Sequence, residues 1–283
     1  MEVVIIRYFI CLFLFTTLNL PLVIAQELPS RQQQREIFVK AERLAHRPNS
    51  KAYKKAMQQL QGYPLKPYVE LKTLKKFPFM ANRKAIETFL TQYQSTPLDL
   101  PLRKKWLTYL SKQNENSLFN EFYRDIGNAA FNCKHAEILL QQDPNSSAAF
   151  EIAEKHWVVG KSQPSQCDAL FRLWQDAGKR TPELVWNRLS LAADGGNHTL
   201  IPYLKTLLPE DQQYLADLWL KVRRSPSQVS RLSNFPKIHA DKETQILVYG
   251  LKRLISRDRD LALRSWERLS KKFSFSDAQL KQV

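Results

Sequence analysis

Glycine is scarce in this chain, at 7 of 283 residues. Sheet-rich folds need glycine at tight turns, and phosphate-cradling loops need it for close backbone approach. A chain this poor in glycine is expected to be helical and to lack a glycine-rich nucleotide loop. Long apolar runs are absent beyond Ala25: no later stretch reaches the ~18 residues that span a bilayer. Cysteine is sparse, with 3 residues, and histidine numbers 5. His46, His135, His156, His198 and His239 form no H-E-x-x-H and no pair at metal-ligand spacing. Cys133-Lys134-His135 supplies too few ligands for a structural zinc site. A G-x-S-x-G elbow is missing too. No metal, no cofactor and no catalytic residue is therefore expected.

What is present is an ordinary globular mixture, 43% apolar and 25% charged, which argues against a disordered chain. Lysine and arginine number 43 against 27 acids, for a formal net charge of +16. The length allows one large or two small domains.

Residues 1–25 read as an address. Arg7 precedes the apolar run from Tyr8 to Phe15, and Val23-Ile24-Ala25 is a cleavage pattern. The alternative is an uncleaved anchor, against which Pro21 and the small-residue end argue. The mature chain is expected to start at Gln26 and to work outside the cytoplasm, in the periplasm. A basic exported protein has cell-wall polymers, anionic head groups or acidic proteins as natural partners, and not nucleic acid. Cys11 leaves with the leader, and Cys133 and Cys167 remain as an even pair in an oxidising compartment. Their bond would close a loop worth about 3–4 kcal/mol in the chain-entropy model. The alternative is two buried thiols, one of which could in principle act as a nucleophile with His135 or His156.

Apolar residues recur at helical spacing: Ile86, Phe89, Leu90 and Tyr93; Leu170, Leu173, Trp174 and Ala177; Leu215, Leu218, Trp219 and Val222; Leu247, Gly250, Leu251 and Leu254. No sustained alternation marks a strand. Ser225-Pro226-Ser227-Gln228 and Thr181-Pro182-Glu183 read as helix starts, and Gly178 and Gly195-Gly196 as stops. Helices of about 10–17 residues joined by short turns are predicted. The expected fold is all-α: an irregular α-superhelix, a solenoid of short helical hairpins. No fixed repeat period is present, and a compact helical bundle is the alternative.

Acids that could serve glycan chemistry are Glu70, Glu87, Glu137, Glu151, Glu154 and Glu183, but none lies in a distinguishing pattern. Of the six tryptophans (Trp106, Trp157, Trp174, Trp186, Trp219 and Trp266), Trp174 and Trp219 fall on apolar stripes and read as core, while Trp186 and Trp266 could stack on a sugar. Basic residues come in small groups: Lys54-Lys55, Lys75-Lys76, Arg103-Lys104-Lys105, Arg223-Arg224, Lys252-Arg253 and Lys271-Lys272. They read either as solvated helix faces or as a distributed positive surface for an anionic polymer.

Two segments resemble a known family. Tyr63-Pro64-Leu65-Lys66-Pro67-Tyr68-Val69-Glu70 is similar to the YPLxPYxE segment of the soluble lytic murein transglycosylases. The segment from Trp157 to Trp174 resembles that family's W-x-x-G-K-S-Q-P-x-x-C-D-x-L-F-x-x-W. A weaker likeness in helix spacing runs from about Ser30 to the end. The resemblance implies a periplasmic protein of peptidoglycan turnover whose N-terminal part is a helical superhelix curved into a U. It also implies a separate lysozyme-like domain that cleaves glycan strands to 1,6-anhydro ends. The family's cysteine pair maps onto Cys133 and Cys167. Its catalytic Glu-Ser dipeptide and the G-L-M-Q and A-Y-N-A-G segments have no counterpart here. Ser276-Asp277-Ala278-Gln279 reads as a capping-box helix start shortly before Val283.

The expectation is a signal peptide at 1–25 and, at 26–283, a truncated superhelical domain, incomplete at its C-terminus. Such a chain would lack its own catalytic domain and be inactive alone, with murein as its partner and catalysis supplied by the domain that full-length relatives carry. The alternative is a stand-alone periplasmic scaffold that binds murein or a protein through a basic face. The sequence names no glycan-contacting residue.

Overall fold

The computed structural model describes residues 30–282. The leader reading, and Cys11 with it, lies outside the described residues. Two compact units follow each other, one ending at Phe77 and the other beginning at Pro78. Among the described residues there are α-helices and 3-10 turns and no strand, so the chain is all-α as glycine scarcity and periodicity predict.

The first unit holds α1 (Arg31–Leu44), α2 (Lys51–Gln59) and α3 (Lys66–Lys76). Ser30 opens α1 with a complete capping box, and the Ser50 hydroxyl accepts from Tyr53 N to open α2. Pro67 lies in the first turn of α3, where its missing N–H costs nothing. α1 packs on α2 and α3 over a small core of Ala41, Ala45, Tyr53, Ala56, Leu60 and Val69. The YPLxPYxE segment thus builds the turn into α3, and its Glu70 pairs with Lys66 at 3.4 Å.

The second unit continues with α4 (Arg83–Gln92), α5 (Asp99–Lys112), α6 (Asn116–Phe122), α7 (Ala129–Gln142) and α8 (Ser147–Trp157). Then come α9 (Asp168–Asp176), α10 (Pro182–Ala193), α11 (Ile201–Lys205) and α12 (Gln213–Arg224). It closes with α13 (Ala240–Ile255), α14 (Arg259–Lys272) and α15 (Asp277–Leu280). Neighbours in sequence are neighbours in space: α4 packs on α5, α7 on α8, α11 on α12, α12 on α13 and α13 on α14. That is solenoid-type packing, in which each hairpin buries its stripe against the next. Helices run from 4 to 16 residues, so several are shorter than predicted. For α9 and α11 the shortfall comes where 3-10 turns at Ser165–Cys167 and His198–Leu200 take over the start of the helix; α2, α6 and α15 are short without such a turn.

The stripes are largely as read. Leu215, Leu218, Trp219 and Val222 are buried, as are Ile86, Phe89 and Leu90, and Leu247, Leu251 and Leu254. Thr181 caps α10 through Leu184 N at 3.3 Å. Gly178 ends α9 at φ 70°, with Lys179 N–H donating to Trp174 O at 3.2 Å in a Schellman arrangement. The capping box at Ser276 is present.

Three expectations are corrected. Leu173 is 41% exposed and Ala177 is exposed, because α9 buries only the narrower pair Leu170 and Trp174. Ser225-Pro226-Ser227-Gln228 does not open an α-helix. The Ser225 and Ser227 hydroxyls lie 3.0 Å apart, and Gln228 accepts from Asn234 through its backbone and side-chain oxygens. With both capping groups engaged elsewhere, Pro226–Ser230 is a 3-10 turn packed on α13. The basic groups are not uniformly displayed. Arg103 is buried on Asp99 at 2.8 Å and donates to Phe122 O at 2.6 Å, and Arg223 donates to Ala193 O at 2.9 Å.

Candidate functional site

The segment from Trp157 to Trp174 folds into the C-terminal end of α8, a loop, a 3-10 turn and α9. Ser146 caps α8 at its start, and Trp157 ends it. Trp157 and Trp174 are both buried, with ring centroids 5.5 Å apart. Cys167 is joined to Cys133 of α7, with their Cα atoms 4.9 Å apart, which ties the start of α9 to the preceding hairpin. Gly160 lies against the end of α10: a Cβ there would stand 2.4 Å from Leu191 O. Gly196 is equally close, with a Cβ position 2.4 Å from Gly160 O. Asn197 N–H donates to that same Gly160 O at 2.7 Å. Only glycines allow these two turns to touch.

Between these supports lies a cleft of about 520 Å³. Trp157, Ser162, Gln163, Asp168, Phe171 and Arg172 line it from the segment itself. Gln175, Arg180, Arg188, Leu200 and Tyr203 line the rest. Arg188, on α10, is 6% exposed. Its guanidinium lies 4.8 Å over the Trp157 ring, and its Nη2 donates to Lys161 O at 3.3 Å. Burial pulls its pKa below the ordinary arginine range. Arg188, Arg180 and Tyr203 went unnoticed in the sequence. Nothing local marks Arg188, since its burial depends on a tryptophan 31 positions earlier.

The other candidate residues are placed elsewhere. Glu137 pairs with Lys134 at 3.4 Å and Glu183 with Lys242 at 3.2 Å. Glu87, Glu151 and Glu154 are exposed. Two acids are buried among the described residues: Asp99, paired with Arg103, and Glu243, which accepts from Tyr214 Oη at 2.7 Å, Lys237 N at 3.0 Å and His239 N at 3.4 Å. Glu243 anchors the start of α13 to α12, and burial plus this carboxylate push the Tyr214 hydroxyl pKa well up. Sequence reading missed Glu243 because its partner Tyr214 is 29 residues away.

His135 and His156 serve the same structural purpose. His135 Nδ1 lies 2.8 Å from Asn120 Oδ1 and its ring stacks on Tyr123. His156 Nε2 lies 3.2 Å from Asn132 Nδ2, which also donates to Asp125 at 3.0 Å. Burial lowers both histidine pKa values, the Gly127 N–H and the Asn132 amide lower that of Asp125, and burial raises Tyr123 to about 12. Trp186 is core, donating to Gln245 Oε1 at 2.8 Å; Trp266 is half-buried against Phe275. Among the described residues no three metal-ligating side chains gather, and no helix is long and apolar enough to cross a membrane.

No protein-family model matches the chain. In sequence it is similar to the soluble lytic murein transglycosylase of Escherichia coli (strain K12), 26% identical over 174 residues, covering 61% of this chain and 27% of that protein. The Salmonella typhimurium protein of the same name is 24% identical over 201 residues, covering 71% of this chain and 31% of its own length. The chain therefore spans under a third of these relatives. In structure it is similar to an inactive mutant of the lytic transglycosylase Slt from Pseudomonas aeruginosa, with a TM-score of 0.74 and 29% identity, covering 87% of this chain and 40% of that one. The 70-kDa soluble lytic transglycosylase of Escherichia coli matches in fold, with a TM-score of 0.72 at 22% identity over 90% of this chain and 41% of that one. The resemblance to the soluble lytic murein transglycosylases thus holds in sequence and in fold.

Proposed function

We propose that this chain is the helical portion of an exported protein of the soluble lytic murein transglycosylase type, and that it binds peptidoglycan strands without cutting them. The observation that carries this reading is the likeness to the Pseudomonas aeruginosa Slt across 87% of the chain. The net charge of +16 supports it, since murein is polyanionic through its peptide carboxylates. No catalytic role is assigned to any residue: Glu243 and Asp99, the buried acids, are committed to Tyr214 and Arg103. Cleavage after Ala25, a periplasmic location and an oxidised Cys133–Cys167 pair belong to the same proposal, with residues 26–283 acting as one superhelical portion.

The test is co-sedimentation of the full chain, purified from the periplasm, with intact sacculi. Pelleting at low salt that falls as ionic strength rises is the expected result, because exposed charges are screened within about 10 Å at 0.1 M salt. Failure to pellet at low salt refutes murein binding. Release of 1,6-anhydro-muropeptides refutes the absence of cleavage. N-terminal sequencing is expected to begin at Gln26.

A further inference from the structure

The geometry points to the cleft over Trp157 as a binding site for the free carboxylate of a short peptide, with Arg188 as its anchor and Arg172 and Arg180 beside it. Three cations are buried among the described residues: Arg103, Arg188 and Lys242. Arg103 has Asp99 at 2.8 Å, and Lys242 has Glu183 at 3.2 Å and Gln212 at 2.8 Å. Arg188 has no carboxylate within 4.0 Å, and neither do Arg172 and Arg180. Its protein acceptor is the Lys161 carbonyl, and its Nε is buried with no hydrogen-bond partner.

A guanidinium stays charged at neutral pH even where burial works against it. Burying one without a counter-charge is costly, and the fold avoids that cost at its two other buried cations. The partner missing at Arg188 is an anion. A guanidinium fork matches a planar carboxylate with two parallel N–H···O bonds, and the Trp157 face below holds the fork in place.

The rest of the cleft narrows the class. Asp168 also lines it and forms no ion pair, so a second negative charge on the ligand is disfavoured. Gln163 and Gln175 offer amide partners, while Phe171 and Tyr203 offer apolar surface for small side chains. A peptide end carrying one carboxylate fits this lining better than a polyanion. The murein source rests on the reading proposed above: the ligand is then the terminal carboxylate of a stem peptide.

The experiment titrates the full chain with N-acetyl-D-Ala-D-Ala, with its C-terminal amide and with inorganic phosphate, by calorimetry and by the Nε–H resonance of Arg188 in 15N-arginine-labelled protein. The free acid is expected to bind and to shift that resonance. The amide should bind about tenfold or more weakly, the equivalent of one charge-assisted contact. Arg188→Gln should abolish binding. Should that variant not fold, the double variant Arg172→Gln/Arg180→Gln, at positions outside the core, is expected to weaken the free acid several-fold while leaving the melting temperature unchanged. Equal binding of acid and amide, no binding of either, or binding of phosphate alone overturns the proposal. Loss of peptide binding with sacculi still pelleting defeats this inference alone; peptide binding without pelleting defeats only the murein reading.

Discussion

Gly160→Ala tests whether the Trp157–Trp174 segment is held by contact between two backbones. The new Cβ would meet Leu191 O at 2.4 Å, Leu191 C at 2.6 Å and Ala192 N at 3.0 Å. All three are backbone atoms inside or beside α10, so no side chain can swing away. The loop has to retreat by roughly 1 Å to restore a normal carbon–oxygen contact, a case of overpacking that costs about 1–3 kcal/mol. That retreat also stretches the 2.7 Å bond from Asn197 N–H to Gly160 O, worth a further 0.5–1.5 kcal/mol or so. The expected total is about 1.5–4.5 kcal/mol, read from urea unfolding followed by far-UV circular dichroism. Gly127→Ala is the control: its Cβ meets nothing within 4 Å, and only the positive φ of 70° is strained. That strain costs about 1–2 kcal/mol. A Gly160→Ala variant within about 0.5 kcal/mol of the parent, or less affected than Gly127→Ala, refutes the close-packing argument. Because Lys161 O accepts from Arg188, the same substitution should also move the Arg188 Nε–H resonance.

Asp99→Asn strands the buried Arg103 and should cost about 3–5 kcal/mol, whereas Asp99→Leu/Arg103→Met should cost less; equal losses in chemical denaturation contradict a buried ion pair. Reduction of Cys133–Cys167, or Cys133→Ala/Cys167→Ala, opens a loop of sequence separation 34 and should lower stability by about 3–4 kcal/mol, while full alkylation of the untreated protein shows that the bond is absent. Burial lowers the folded pKa values of His135 and His156, so their contribution to stability is present above the unfolded value of about 6.5 and is lost as pH falls below it. The urea midpoint should therefore drop between pH 7.5 and 5, and less so in His156→Gln; a midpoint unchanged over that window rejects the assignment.

The helices were legible because their signals are local. Leu215, Leu218, Trp219 and Val222 announce one buried face within eight positions, and Thr181 announces its cap within four. The failures have other causes. Leu173 obeys the period yet is exposed, because a period states which residues share a face and not how wide the neighbouring helix is. Ser225 has the chemistry of a cap, but Asn234 claims Gln228 from beyond the turn. Arg103 sits in a basic triplet, and the acceptor that buries it is Phe122 O, 19 residues on. For Ser225 and Arg103 a residue beyond the reading window shares in the outcome, although Arg103 also has Asp99 four positions before it.

The cleft combines both kinds of information. Trp157, Gly160, Cys167, Leu170 and Trp174 are explained by the fold alone, through ring packing, close backbone approach, a covalent tie and burial. Packing gives no account of Ser162, Gln163, Asp168 and Arg172, which line open space. It accounts for Arg188 only in part: the side chain lies over Trp157 and donates to Lys161 O, but its Nε is buried without a partner and its charge without a carboxylate, which makes the site costlier to fold. A segment kept only as scaffold would do better with an uncharged side chain over Trp157. Arg188→Met therefore separates the two roles: it should equal or exceed the parent in thermal stability while losing the peptide carboxylate. A variant that is destabilised by several kcal/mol would make Arg188 a packing residue and leave the cleft without its anchor.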